Sequence, residues 1–91
     1  MSAMRYGQRP RVSTTEIDGD VFLVEPDTEE VFYLNAVAGG LWRALAEPMT
    51  LGELTSLMRS AFPDRTEAEL DADIAATIEE LARRRLVINV P

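Results

Sequence analysis

The sequence predicts an α+β fold in which a three-stranded antiparallel sheet precedes three helices. Three observations lead to this prediction. Short runs of β-branched and aromatic residues occupy the first third of the chain, turn signals separate these runs, and apolar residues recur at helical spacing from Asn35 onwards. With 91 residues, the chain is long enough for one small domain.

The three predicted strands are separated by two tight turns. Asp18-Gly19-Asp20 is typical of a hairpin turn, and Glu25-Pro26-Asp27-Thr28 has proline and aspartate where a type I turn favours them. Residues 1–9 are expected to form a flexible N-terminal arm, which leaves residues 10–91 as the folded domain. The predicted strands are Arg11 to Ile17, Val21 to Glu25 and Glu30 to Leu34.

The second and third strands are apolar at successive positions, VFLV and VFYL, so that apolar side chains point to both faces of the sheet. A sheet with one solvated face alternates apolar and polar residues. Either helices cover both faces of this sheet, or one surface is open to a partner.

The first predicted helix begins after Asn35, a favourable N-cap residue, and ends before Pro48. It contains Gly39-Gly40, and each glycine costs a helix about 1 kcal/mol relative to alanine. We interpret the two glycines as a place where the helix packs closely against a neighbouring element. Trp42 is expected to lie in the core.

Two capping boxes precede the second and third helices. Thr50-Leu51-Gly52-Glu53 opens the second helix, which ends at Pro63. Thr66-Glu67-Ala68-Glu69 opens the third helix, which extends to about Arg84. Leu86 to Val90 is predicted to form a short closing strand.

The third helix carries two features of different character. One is a core stripe at helical spacing, formed by Leu70, Ile74, Ile78 and Leu81. Beside it runs a row of small residues with acidic neighbours: Ala68, Ala75 and Ala82, with Asp71 and Glu79. A smooth alanine strip next to a core stripe leaves room for another element to lie against the helix.

The composition excludes most catalytic chemistry. The chain has no cysteine and no histidine, and all nine of its basic residues are arginine. Disulfides, thiolate nucleophiles and zinc–thiolate sites are therefore excluded, and the commonest general base is missing. Without lysine, Schiff-base and Walker-type chemistry are excluded as well. We expect a protein that is not an enzyme and that uses no metal and no cofactor.

The charge is distributed unevenly. The net charge is −7, all 16 acidic residues lie within residues 16–80, and residues 1–15 and 81–91 carry only arginines as charged residues. An acidic body repels nucleic acid and attracts a basic or neutral polypeptide. No apolar run approaches the roughly 20 residues that cross a bilayer, and the N-terminus lacks the apolar core of a secretory signal. The sequence therefore predicts a cytoplasmic protein without membrane or nucleic-acid partners.

Taken in order, these segments resemble the PqqD-like family, the peptide-recognition domains of pathways that modify ribosomally made peptides. The resemblance covers roughly Val12 to Val87. The residues that carry it are VFLVEP and VFYLN, then Ala38 and Trp42, Thr50-Leu51 with Leu54, Asp73-Ile74, and Leu81 with Leu86-Val87. The tryptophan-containing N-terminal motif of the quinone-cofactor branch is absent, so the resemblance is to a generic member.

The resemblance implies a winged-helix-like fold whose third strand pairs with a leader peptide, in a groove between that strand and the last helix. It also implies delivery of the peptide to a modifying enzyme such as a radical-SAM protein, a cyclase or a peptidase. Acids near the groove suggest a leader with at least one arginine or lysine. The peptide is expected to contact Val31, Phe32, Tyr33, Leu34, Asp71, Ala75, Ile78, Glu79 and Ala82.

Two alternatives stay open at this stage. One is a DNA-binding winged helix, although its third helix would enter the major groove with an acidic end. The other is a small structural subunit of an enzyme complex. In addition, an unpaired apolar strand would allow the chain to form a homodimer.

Overall fold

A computed structural model describes residues 4–91, which form three helices and two antiparallel sheets of three strands each. The α+β prediction is therefore confirmed, and the second sheet is an addition to it. In chain order the elements are β1 (Arg5–Gln8), β2 (Ser13–Ile17), β3 (Asp20–Val24), β4 (Val31–Leu34), α1 (Ala36–Ala44), β5 (Met49–Thr50), α2 (Leu51–Ala61), α3 (Glu67–Arg83) and β6 (Val87–Val90).

The predicted three-stranded sheet has the order β2-β3-β4. The β2–β3 register runs from Ser13 opposite Val24 to Ile17 opposite Asp20. Between these strands Asp18 and Gly19 have φ angles of 51° and 87°, the positive values that a type I′ hairpin turn requires at both central positions. The Asp-Gly signal thus sets the register of the first hairpin.

The second sheet has the order β5-β1-β6 and was not predicted. It corrects the expectation of a flexible arm at residues 1–9, because Arg5–Gln8 is the central strand; residues 1–3 lie outside the described part of the chain. Gly7 pairs with Ile88, and a Cβ at this glycine would lie 3.0 Å from the Val90 Cγ2. The close approach of the two strands therefore favours glycine at this position.

One core lies between the helices and the inner face of the β2-β3-β4 sheet. Trp42 is 1% exposed, as predicted, and its indole N–H donates to the Thr14 hydroxyl at 2.9 Å. On β3, Val21 and Leu23 are buried against the helices, whereas Phe22 and Val24 on the other face are half-buried. Helices thus cover one face of the sheet, and in the described part of the chain no helix lies on the outer face.

The helix starts follow the predicted caps. The Asn35 side chain accepts from the Ala38 N–H at 2.9 Å. Thr50 and Glu53 form both hydrogen bonds of a capping box. Thr66 accepts from the Glu69 N–H at 3.3 Å, and within residues 4–91 the reciprocal bond is absent. None of the helices between residues 4 and 91 combines the length and the apolar character that a membrane span needs.

Close packing explains the two glycines of α1. A Cβ at Gly39 would lie 3.2 Å from Val21 Cγ2 of β3, and a Cβ at Gly40 would lie 3.3 Å from Met58 Cε of α2. The interpretation from the sequence is confirmed at both positions. The neighbours differ in kind: Val21 is β-branched and 2% exposed, whereas the Met58 methyl is the end of a flexible side chain.

We expect the two glycines to respond differently to alanine. In Gly40→Ala the Met58 side chain can adjust, so the free energy of unfolding should rise by up to about 1 kcal/mol through helix propensity. In Gly39→Ala the added methyl group contacts the conformationally restricted Val21 side chain. The resulting overpacking should lower the free energy of unfolding by about 1 kcal/mol or more. Urea denaturation measures both variants. A Gly39→Ala protein at least as stable as Gly40→Ala would contradict this packing argument.

Candidate functional site

Strand β4 lies at the edge of its sheet. It pairs with β3 along its whole length, from Leu34 opposite Val21 to Val31 opposite Val24, and among the described residues it has no partner strand on its other side. An edge strand presents unpaired N–H and C=O groups to the surroundings. Another extended chain can satisfy these groups by adding to the sheet.

A groove of about 450 Å³ runs between this edge and helix α3. Small side chains from two helices, Ala38 and Ala76, contribute to its lining, and Leu81 and Leu86 add apolar surface. We call this feature the β4–α3 groove. The complete lining is Val31, Phe32, Tyr33, Leu34, Asn35, Ala38, Ala76, Thr77, Glu80, Leu81, Arg84 and Leu86.

The structure brings the four predicted β4 residues into this groove but not the predicted α3 residues. Asp71 instead pairs with Arg59 of α2, with 2.7 Å between Oδ2 and Nη2. The other four, Ala75, Ile78, Glu79 and Ala82, line a separate groove with Met4, Tyr6, Leu51 and Asn89, next to the first sheet. The helix flank that faces β4 carries Ala76, Thr77, Glu80 and Arg84.

The placement of these α3 residues has a simple geometric reason. Small and polar residues border the core stripe of α3 on both flanks, and helical periodicity does not indicate which flank faces the sheet. Successive residues point about 100° apart on a helix, so Ala75 and Ala76 belong to opposite flanks. The alanine row was a real feature of α3, but it lies on the flank away from β4.

The charges inside the β4–α3 groove are paired. Arg84 Nε donates to Glu80 Oε1 at 2.6 Å, and Arg83 Nη1 lies 3.0 Å from Glu80 Oε2. The hydrogen bond from Arg84 lowers the pKa of Glu80 against the opposing effect of burial. The Arg84 guanidinium also lies over the Phe32 ring, with 4.9 Å between Cζ and the ring centroid.

The pairing changes the expectation about the ligand's charge. That expectation came from Asp71 and Glu79, which lie outside the β4–α3 groove. The acid within it, Glu80, already has two arginine partners. Among the described residues that line the groove, the one acid is thus already paired, and the geometry adds no support for the preference for a basic leader.

A buried carboxylate holds the turn that leads into β4. Glu25 is 6% exposed and accepts hydrogen bonds from the Thr28 N–H and hydroxyl, the Asp27 N–H and the Arg9 guanidinium. Burial by itself raises the Glu25 pKa, but these bonds outweigh it and lower the pKa to about 2. Arg9 also forms an ion pair with Asp27, with 2.6 Å between Nη2 and Oδ2. This network ties the chain after β1 to the β3–β4 turn.

The side chains around the groove do not form a metal centre. Within residues 4–91, no three histidine, cysteine or acidic side chains are grouped closely enough to hold a metal ion. What the groove offers is an open strand edge with an adjoining, partly apolar trough. Such an arrangement suits the binding of an extended polypeptide.

Comparisons with known proteins agree with this geometry. The model of one protein family, described as coenzyme PQQ synthesis protein D (PqqD), matches residues 20–87. This range contains β3, β4 and all three helices. No curated protein matches the chain in sequence.

Two solved structures share the fold. One is TbiB1 in complex with the TbiA(beta) leader peptide, with a TM-score of 0.77, 22% identity, and coverage of 89% of this chain and 93% of that chain. The other is lasso peptide synthetase B1 complexed with the leader peptide, with a TM-score of 0.76, 19% identity, and coverage of 91% and 96%. At these identities the similarity establishes the fold.

We expect Glu25→Gln to destabilise the protein in a pH-dependent way. Because the Glu25 pKa falls from 4.5 to about 2 on folding, its contribution is complete above about pH 5 and is lost as the pH falls towards 2. The unfolding free energies of the native and Glu25→Gln proteins should therefore differ most near neutral pH and converge in acid. Urea denaturation across this pH range measures the difference.

The exposed Glu29 of the same turn provides the control. Glu29→Gln removes one negative charge without touching the buried network, so its effect near neutral pH should be much smaller. A difference between native and Glu25→Gln that stays constant down to the acid end would contradict the assignment.

Proposed function

This chain belongs to the PqqD family, and from that premise we propose that it binds the leader segment of a ribosomally made precursor peptide and presents it to a modifying enzyme. The observation that carries the proposal is the open edge of β4 beside a groove on α3. Both similar solved structures are complexes with leader peptides, which supports the proposal.

In the proposed complex the leader adds to the sheet as a strand next to β4. Main-chain hydrogen bonds to the open edge provide affinity that depends little on sequence, and side chains that enter the groove provide selectivity. Ala38 and Ala76 leave space for an incoming side chain, and Leu81 gives it an apolar surface. A flexible leader loses conformational entropy when it becomes ordered on binding. This cost offsets part of the favourable contact energy, so we expect a moderate affinity.

The proposed role is that of an adaptor without chemistry of its own. The chain lacks cysteine, histidine and lysine, which provide most nucleophiles and general bases. An adaptor that holds the leader near a radical-SAM protein, a cyclase or a peptidase raises the effective concentration of the precursor at that enzyme. The modification would then occur on the part of the precursor that extends beyond the bound leader.

The charge of α3 argues against the DNA-binding alternative. The helix contains six acidic residues and one arginine between Glu67 and Arg83. Phosphate contacts dominate DNA affinity, and a helix with this charge is repelled by the backbone.

A selection experiment tests the proposal without knowledge of the natural precursor. A library of random peptides displayed as mRNA fusions is selected on the immobilised protein, and the precursor encoded nearest to the gene is tested in parallel. Titration of the isotope-labelled protein should then shift the amide signals of Val31–Leu34 and of the α3 residues that line the groove. Failure to enrich any peptide, together with no shift from the precursor, would refute the proposed function.

We expect Ala76→Glu to weaken peptide binding and Ala75→Glu to preserve it. Both alanines are exposed on α3, so the two variants share the same added charge and a similar cost in helix propensity. Only Ala76 lines the β4–α3 groove, where a glutamate fills space and places a charge beneath the peptide. Affinity for a selected peptide should fall about tenfold or more in Ala76→Glu alone.

Fluorescence anisotropy with a labelled peptide measures both variants, and thermal unfolding checks that each is folded. The reverse result, with binding lost only in Ala75→Glu, would place the peptide in the groove next to the first sheet instead.

A further inference from the structure

The outer face of the β2-β3-β4 sheet, which the helices do not cover, has two exposed apolar side chains on β4. Val31 is 63% exposed and Tyr33 is 58% exposed. They alternate with Phe32 and Leu34, which point towards the helices. An exposed valine and tyrosine on the open edge strand form an apolar surface at the place where a new strand would be added to the sheet.

These two side chains are covered on one side only. Across the sheet Val31 lies opposite Val24, and Tyr33 lies opposite Phe22 with their ring centroids 5.5 Å apart. The Tyr33 hydroxyl donates to Asp20 Oδ1 at 3.3 Å, which holds the ring over β3. The row is therefore packed towards β3 and open towards the free edge of β4.

Next to Val24 and Phe22, the apolar surface does not continue onto β2. On β2 the residues opposite Val24 and Phe22 are Ser13 and Thr15, which are polar and exposed. A partner lying flat on the whole outer face would meet this polar strip. The apolar patch instead borders the open edge, which points to an occupant that pairs with β4 itself.

Given the proposed function, we propose that the bound peptide is recognised on both faces of the sheet. Cβ atoms of directly opposite residues on neighbouring strands lie about 5 Å apart, so outward side chains of a peptide strand reach Val31 and Tyr33. The side chain between them points inward and enters the β4–α3 groove. The recognised segment is accordingly apolar at three consecutive positions, instead of alternating apolar and polar residues.

Peptides enriched from the random library provide the first test. We expect a shared segment with apolar residues at three consecutive positions, with β-branched or aromatic residues at the two outer ones. Enrichment of apolar residues at every second position only would overturn the two-face proposal and leave the proposed function intact. No enrichment at all would count against the proposed function itself.

Variants of the outer face provide the second test. Val31→Thr with Tyr33→Thr places strand-favouring β-branched residues at both positions but removes apolar surface, so affinity for an enriched peptide should fall about fivefold. Selection on this double variant should lose the apolar preference at the two outer positions and keep it at the inner one. Ile17→Thr is the matched control, since Ile17 is 56% exposed on the same face but lies on β2. It should leave affinity unchanged.

Folding and self-association are measured alongside. If the double variant unfolds, Val31→Thr alone is nearly isosteric and tests the same contact with an expected loss of about twofold. Unchanged affinity in a folded variant would overturn the proposal. Sedimentation of the free protein as a dimer that Val31→Thr dissociates would assign the outer face to a second copy of this chain, and would also overturn it.

Discussion

Strand β4 pairs with β3 and, within residues 4–91, with no second strand, and the shape of the candidate site follows from this open edge. An open strand edge invites aggregation as readily as specific binding, and natural proteins limit this by keeping such strands short or covered. Here β4 has four residues and α3 runs alongside it, so the space next to the edge is a narrow groove. A single extended chain fits such a space better than the edge of another folded sheet.

The position of that edge is fixed by contacts distant in sequence. The Glu25 carboxylate accepts hydrogen bonds from two backbone N–H groups of its own turn and from the guanidinium of Arg9, which lies just after β1. The Arg9 N–H in turn donates to the Leu86 carbonyl, ahead of β6. The two sheets are thereby joined beside the β4 turn. A chain of 91 residues has a small apolar core, which buries a smaller fraction of the surface than the core of a larger domain. A polar link between the two sheets therefore adds to the rigidity of this region.

Local signals explain what could be predicted from the sequence, and non-local pairing explains what could not. The Asp-Gly turn, the caps at Asn35 and Thr50 and the apolar stripe of α3 act over a few residues, and the corresponding elements formed as expected. Strand β1 has a short, largely polar sequence and pairs with a strand at the opposite end of the chain, so it carried no local signal. The sequence of α3 likewise carried no local signal for which flank of the helix faces β4, because tertiary packing decides this.

The sequence of β4 is apolar at more positions than its place in the fold requires. A strand that is apolar at successive positions is typical of a sheet buried on both faces. The folded chain buries only the inner face, so the outer side chains of β4 remain exposed. Such a mismatch would favour self-association, and the net charge of −7 opposes it through repulsion between copies. The sequence of β4 is suited to burial on both faces, yet the strand lies at an open edge of an acidic protein. This combination is consistent with a surface that a peptide partner covers when it binds.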